Sequence, residues 1–362
     1  MADYTPEEIL NKRGRGESLA GANLVRISLR GEDLSGIDLS GANLQYADLT
    51  DANLCKADLT GADLSYATLN GTRLEAARLS RSQLVGVEMT GAVLSGSDLA
   101  GANMDDARIG NCDLAGAVLT GATVRRASGE KVHAPGGVFN EADLEEAQLP
   151  EANFRGASMI RANLAKAALA KADLSGCDMK GAILTRANME ESVLMSAGFV
   201  EASLVKANLK GVRAAGADFT LSNLTGSDLS GGSFTKSVFR GTEMSQTLLN
   251  VANFTECDLR YARLTYATAE SSSFSKASFA AGNLSEAKFK KCQISGADLS
   301  GARMAGCSLL GSDLSGSNLR GADISRANVG GTNFSRSDMT GATIVGTDLA
   351  DARLEGTKHP GG

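Results

Sequence analysis

The chain has 362 residues, and 36 Lys and Arg against 42 Asp and Glu leave a formal net charge of −6. No apolar run approaches the about 18 residues of a membrane span, and the N-terminus lacks the apolar segment of a cleaved secretion signal, so a cytoplasmic protein with no membrane contact is expected. Two histidines and no C-x-x-C spacing leave no metal site, cofactor or catalytic constellation to place, which argues against an enzyme.

In chain order, residues 1–17 read as an N-terminal cap that begins with a helix. Thr5 is its N-cap, Pro6 suits the first helical position, and Glu8 completes a capping box. Ile9 and Leu10 would then cover the first coil of the repeat region, since an open sheet edge needs covering.

From Leu19 to Leu354 every fifth residue is the centre of a unit, giving (354 − 19)/5 + 1 = 68 units in one register. Every centre is Leu, Met, Phe, Ile or Val except Gly129, Ala134, Ala214 and Ala269. With the centre as position 0, position −2 is small and position −1 is often Asp or Asn, as in Ala57-Asp58-Leu59. Positions +1 and +2 are polar or glycine. A five-residue period drifts around a helix but suits a short strand, where −2 and 0 share the inner face and −1 points out. Two further residues turn a corner, where glycine accepts positive φ.

The phenylalanines set the number of sides. All eleven are centres, and Phe199, Phe219, Phe239 and Phe234, Phe254, Phe274 form two series spaced by 20. Twenty residues per coil means four sides, which would stack each series into a column. The expected fold is an all-β, quadrilateral solenoid over residues 18–356, of about 17 coils and roughly 80 Å at ~4.8 Å per rung. Its narrow interior leaves no internal ligand cavity.

Three features interrupt or decorate this pattern. Tyr46 and Tyr66, both at +2 and 20 apart, form an outward aromatic pair. Residues about 125–137, with Arg125, Arg126, His133, Pro135 and two glycines, read as an interrupting loop that is either extruded or still traces two sides. Lys166, Arg186 and Lys206 share position +2 at 20-residue spacing and would stack as like charges, with Glu146 one coil earlier, whereas Lys236, Glu256 and Lys276 alternate in sign. The tail, 357–362, is too polar to cover the last coil.

Five of the six cysteines, Cys112, Cys177, Cys257, Cys292 and Cys307, occupy position −2 and point inward as small hydrophobes; Cys55 at +1 faces water. Reduced thiols fit a cytoplasmic protein.

The repeat A-[DN]-L-x-x, as in Ala42-Asn43-Leu44-Gln45-Tyr46 and Ala57-Asp58-Leu59-Thr60-Gly61, resembles the pentapeptide-repeat family over residues 18–356. The resemblance implies a right-handed quadrilateral β-helix and, as in related proteins, homodimerisation through the C-terminal coil. Two functions come into view. One is a non-enzymatic scaffold for a protein partner, with Lys166, Arg186, Lys206, Arg125, Arg126, Tyr46 and Tyr66 as candidate contacts. The alternative, implied by the quinolone-resistance members, is a DNA mimic that binds type II topoisomerase (DNA gyrase). Duplex DNA carries one charge per ~1.7 Å, so an 80 Å rod would need about −47. Residues 1–150 carry 22 acidic and 13 basic side chains, net −9, and the remainder is net +3, so mimicry would involve the N-terminal third only. Nucleic-acid binding has the basic column and Arg125/Arg126 in its favour against an acidic total, and is not expected.

Overall fold

The computed structural model describes residues 3–359. The chain divides into two compact units, Met1–Ile183 and Leu184–Gly362. Each is built from the same corner and the same rung.

The corner is a β-turn. In the first unit Ile27 N–H donates to Leu24 C=O at 3.2 Å, and Arg26, third of the four residues, has φ 60°. Positive φ at that residue alone is the signature of a type II turn. The same turn recurs along most of the repeat, with position +2 as its third residue. Glycine is common there, but among the described residues 36 non-glycine residues also take this left-handed conformation. Polar residues and glycine share the corner as the spacing implies, and the ladder also holds the bulky apolar Leu221 and Val251 at φ 59° and 58°.

Asp and Asn at −1 brace each corner. Asp33 Oδ1 accepts from Ser35 N–H at 3.1 Å and Asp58 Oδ1 from Thr60 N–H at 3.0 Å, with the same bond at most coils. These short loops between a side chain and the backbone two residues on are Asx turns. They also hold carboxyls below their ordinary range: Asp323 through Ser325, and Asp338, brought down to about 2, through Thr340 and then Lys358.

Rungs are parallel and twenty residues apart. Position −1 bridges position −1 of the next coil from Asn23↔Asn43 to Asn163↔Ile183 in the first unit, and from Asn188↔Asn208 to Asp338↔Lys358 in the second. Leu24 N–H donates to Asn43 C=O at 2.7 Å and Arg26 N–H to Gln45 C=O at 2.9 Å. Most sides make a single bridge. Only β1 (Thr268–Glu270) and β2 (Lys288–Lys290) form three-residue strands among the described residues, paired in parallel with Ala269 opposite Phe289.

The centres fill the interior. Phe199, Phe219 and Phe239 stack with ring centroids 4.8 and 4.7 Å apart, and Phe234, Phe254 and Phe274 at 4.8 and 5.1 Å, as twenty-residue coils require. Each alanine centre, Ala134, Ala214 and Ala269, is followed five residues later by a phenylalanine, so a small side chain offsets a large neighbour. Inward Ser and Thr at −2 donate to backbone carbonyls, as Thr72 Oγ1 does to Leu49 C=O at 2.8 Å. Cysteine behaves likewise: Cys112 Sγ lies 2.8 Å from Met89 C=O, and burial pushes that thiol up to about 12. Cys55 is half-buried instead of freely exposed, its Sγ 2.9 Å from Glu75 Oε2.

Residues 125–137 are not extruded. Ser128 bridges Arg108 and Gln148, and His133 bridges Asp113 and Asn153. The Pro-Gly pair that suggests a break serves the corner instead. Pro135 takes the second turn position, where φ near −65° is wanted, and Gly136 the third, at φ 64°. Gly137 N–H closes the turn on Ala134 C=O at 3.2 Å.

At the N-terminus, α1 (Pro6–Gly14) begins at Thr5, whose hydroxyl accepts from Glu8 N–H while the Glu8 carboxylate accepts from Thr5 N–H at 2.8 Å. Ile9 is fully buried and Leu10 partly so; Arg13 reaches Asp33 at 2.7 Å and Ser35 Oγ at 2.6 Å. At the other end Ile344, Leu349 and Leu354 are only partly buried, whereas the centres from Leu19 to Met339 are buried except Gly129. Residues 360–362 of the expected tail lie outside the described residues.

Candidate interaction surface

Six of the seven candidate contacts share one corner phase. Tyr46, Tyr66, Arg126 and Lys166 in the first unit, and Arg186 and Lys206 in the second, differ by multiples of twenty and all have φ between 54° and 60°. Arg125 precedes that corner.

In the first unit this corner is an internally matched ladder. The Arg26 guanidinium lies over the Tyr46 ring at 5.5 Å, and Tyr46 stacks on Tyr66 at 5.4 Å with 12° between planes. Tyr66 lies across Gly86, where an added Cβ would sit 2.7 Å from its Cε1. Arg126 then grips Asp106 with two bonds of 2.8 Å, and Lys166 Nζ meets Glu146 at 2.7 Å and Glu145 at 3.6 Å. The Arg126 bond holds the Asp106 carboxyl below its usual value; Lys166 does the same for Glu146. Arg125 pairs with Glu145 at 3.0 Å and lies 3.7 Å from Asp143. Of the three cations expected to stack as like charges, Lys166 is therefore compensated, by the Glu146 that the spacing placed one coil earlier, and Arg125 and Arg126 likewise each have a carboxylate one coil away.

The second unit differs. Arg186 N–H donates to Val205 C=O at 2.9 Å, so Arg186 and Lys206 occupy successive rungs. Neither has an ion pair among the described residues. Lys206 lies along the next coil, its Cγ 3.4 Å from where a Cβ on Gly226 would be. Elsewhere in this unit alternation holds as expected, with Lys236 Nζ 3.8 Å from Glu256.

Among the described residues no group of three or more His, Cys, Asp or Glu could hold a metal ion, and no helix is long and apolar enough to cross a membrane. His133 Nδ1 rests 3.3 Å from Asn153 Nδ2 within the ladder. An apolar cavity of about 10 Å³ lies in the first unit between Met104 and Phe154, room for no ligand.

Comparison with known proteins matches pentapeptide repeats (8 copies) at residues 18–54, 57–96, 97–128, 138–176, 172–211, 202–241, 252–290, 282–321, 292–329 and 317–356. Among solved structures, HetL, a pentapeptide repeat protein involved in heterocyst differentiation regulation in the cyanobacterium Nostoc, is 26% identical, with 61% of this chain and 88% of that one covered and a TM-score of 0.22. QnrB1, a plasmid-mediated fluoroquinolone resistance protein, is 21% identical, with 48% and 84% covered and a TM-score of 0.26. A pentapeptide repeat protein of the Arabidopsis thaliana thylakoid lumen is 24% identical, with 31% and 72% covered and a TM-score of 0.22. Comparison with curated proteins gives no match.

Proposed function

Since the chain belongs to the pentapeptide-repeat family, whose members are right-handed β-helices and generally non-enzymatic, we propose that it is a cytoplasmic scaffold that binds a protein partner. The observation that carries this is the pair Arg186 and Lys206. Like charges on successive rungs, about 4.8 Å apart, repel one another. Along the equivalent corner of the first unit each cation meets an acid or an aromatic ring one coil away, Arg126 with Asp106, Lys166 with Glu146 and Arg26 with Tyr46. Among the described residues Arg186 and Lys206 have no ion pair, which supports a role for the two cations in receiving an anionic surface. The DNA-mimic reading has less behind it, because acids it would need are spent on Arg126, Arg125, Lys166 and Arg108.

The test is affinity capture from native cytosol with wild type and with Arg186→Glu/Lys206→Glu. A partner recovered by wild type should fall roughly tenfold with the variant. Equal recovery would remove the basic pair from the interface, and a type II topoisomerase captured equally by both would put mimicry first.

We also place a second copy of the chain against the C-terminal coil, where Ile344, Leu349 and Leu354 are partly open. Light scattering should give a dimer mass for wild type and a monomer mass for Leu349→Asp. A wild-type monomer would end this proposal.

A further inference from the structure

One side of the second unit combines exposed apolar groups, lysines without ion pairs and a conformational cost that packing does not explain. Its rungs run from Leu248 through Thr268, Lys288 and Ser308. The adjoining corner runs from Val251 through Ser271 and Lys291 to Gly311: Val251 N–H donates to Glu270 C=O, Ser271 N–H to Lys290 C=O and Lys291 N–H to Leu310 C=O, at 2.9–3.0 Å. Leu248, Val251 and Leu310 are 41%, 69% and 38% exposed, and Tyr266, 63% exposed, stands at the preceding corner of the β1 coil.

Between these apolar groups sit Lys288, Lys290 and Lys291, all exposed. Lys290 Nζ is 3.5 Å from Glu270; Lys288 and Lys291 have no ion pair among the described residues. Beneath them β1 and β2 make this the most extended side of the unit.

Val251 is the informative residue. It is β-branched, held at φ 58°, and more than two-thirds exposed. A left-handed β-branched residue is strained, and glycine at the same corner position elsewhere shows that the fold does not require it. A strained residue that buries little in return marks a place where sequence choice serves something outside the chain.

We propose that this side docks an acidic segment of another protein, with apolar side chains flanking carboxylates. The proposal rests on the scaffold reading and assigns it a second, separate contact. Geometry sets the spacing: Leu248 and Ser308 are three rungs apart, about 14 Å, which an extended chain covers in about four residues. Apolar residues at the two ends would meet Leu248 and Val251 on one side and Leu310 on the other. Carboxylates between them would meet Lys288 and Lys291, charge against opposite charge.

The probe is a fluorescein-labelled peptide of sequence GSGLEDELGSG, titrated against the full chain by anisotropy, with GSGLKKKLGSG as control. Wild type should bind the acidic peptide, and Lys288→Glu/Lys291→Glu should weaken it at least tenfold. Val251→Gly should weaken it about fivefold while raising the melting temperature, a pairing that a purely structural role for Val251 would not produce. Absence of binding, equal binding by all three proteins, or equal binding of the control peptide would overturn the proposal. So would binding of wild type to phosphatidylserine vesicles without binding of the peptide, which would assign the lysines to a lipid surface. A partner captured by wild type and still captured by Lys288→Glu/Lys291→Glu would leave the scaffold reading intact while this surface is tested by the peptide alone.

Discussion

Gly129→Leu should destabilise the first unit by about 2–3 kcal/mol, even though it restores the side chain that the repeat favours at its centres. A Cβ on Gly129 would lie 2.7 Å from both the Gly110 nitrogen and the Ile109 carbonyl carbon, and 2.9 Å from the Ile109 oxygen. Those are backbone atoms of the preceding coil, fixed by the bond from Ile109 N–H to Ser128 C=O at 2.8 Å, so they cannot swing aside as a side-chain end would. Nor is the interior waiting for a leucine. Val132 at −2, where alanine is usual, and Phe139 with Phe154 edge-on at 5.5 Å already take up the volume missing at Gly129 and Ala134. Gly116→Asn is the control: nothing lies within 4 Å of its Cβ position, and asparagine tolerates φ 63°, so its cost should stay below about 1 kcal/mol. Urea denaturation followed by circular dichroism measures both. A midpoint raised by leucine at 129 would show that the coil relaxes there and that repeat arithmetic alone predicts stability.

The five-residue period made most of the fold legible because side-chain direction in this architecture depends only on counting. Once −2 and 0 point inward, the burial of Ala57, Leu59, Phe219 and Cys112 can be assigned without knowledge of any contact. Twenty-residue spacing likewise places Tyr46 on Tyr66. Counting fails where backbone geometry chooses the residue. Pro135-Gly136 reads as a break in any one-dimensional scan, yet a type II turn wants proline second and glycine third. Gly129 is an exception in the repeat for a reason visible only in three dimensions, the approach of Ile109 and Gly110.

The candidate surface was half legible for a similar reason. Lys166, Arg186 and Lys206 could be picked out as three cations in phase, but their standing depends on whether acids one coil away reach them. Glu146 reaches Lys166; among the described residues no carboxylate pairs with Arg186 or Lys206. The pairing of Asp106 with Arg126 obeys the same twenty-residue rule and could have been found by extending the series backward. Val251 does carry a sequence signal, being the one β-branched residue at position +2 of the repeat, but its strain and its exposure beside Lys288 and Lys291 are visible only in three dimensions.

Phe219→Ala should cost the second unit about 4 kcal/mol, near the upper end for a buried aromatic, while Phe219→Leu should cost less than about 2. Phe219 is the middle of a three-ring stack, within 6° of parallel to both Phe199 and Phe239, and takes the edge of Phe234 at 6.2 Å. Cavity cost depends on how far the surroundings can collapse. Here they cannot: Phe219 N–H to Val238 C=O at 2.7 Å, and its counterparts in every coil, hold the rungs at fixed separation, so Phe199 and Phe239 cannot close on the gap. Leucine is different, because Leu259 continues the same column above Phe239 and shows that the site geometry accepts it. The readout is the denaturant midpoint of the second unit, resolved from the first because two compact units need not unfold as one. A loss below about 2 kcal/mol for alanine would mean that neighbouring coils compress when a ring is removed. The rigidity on which a scaffold depends would then lie in the corners rather than in the stacked core.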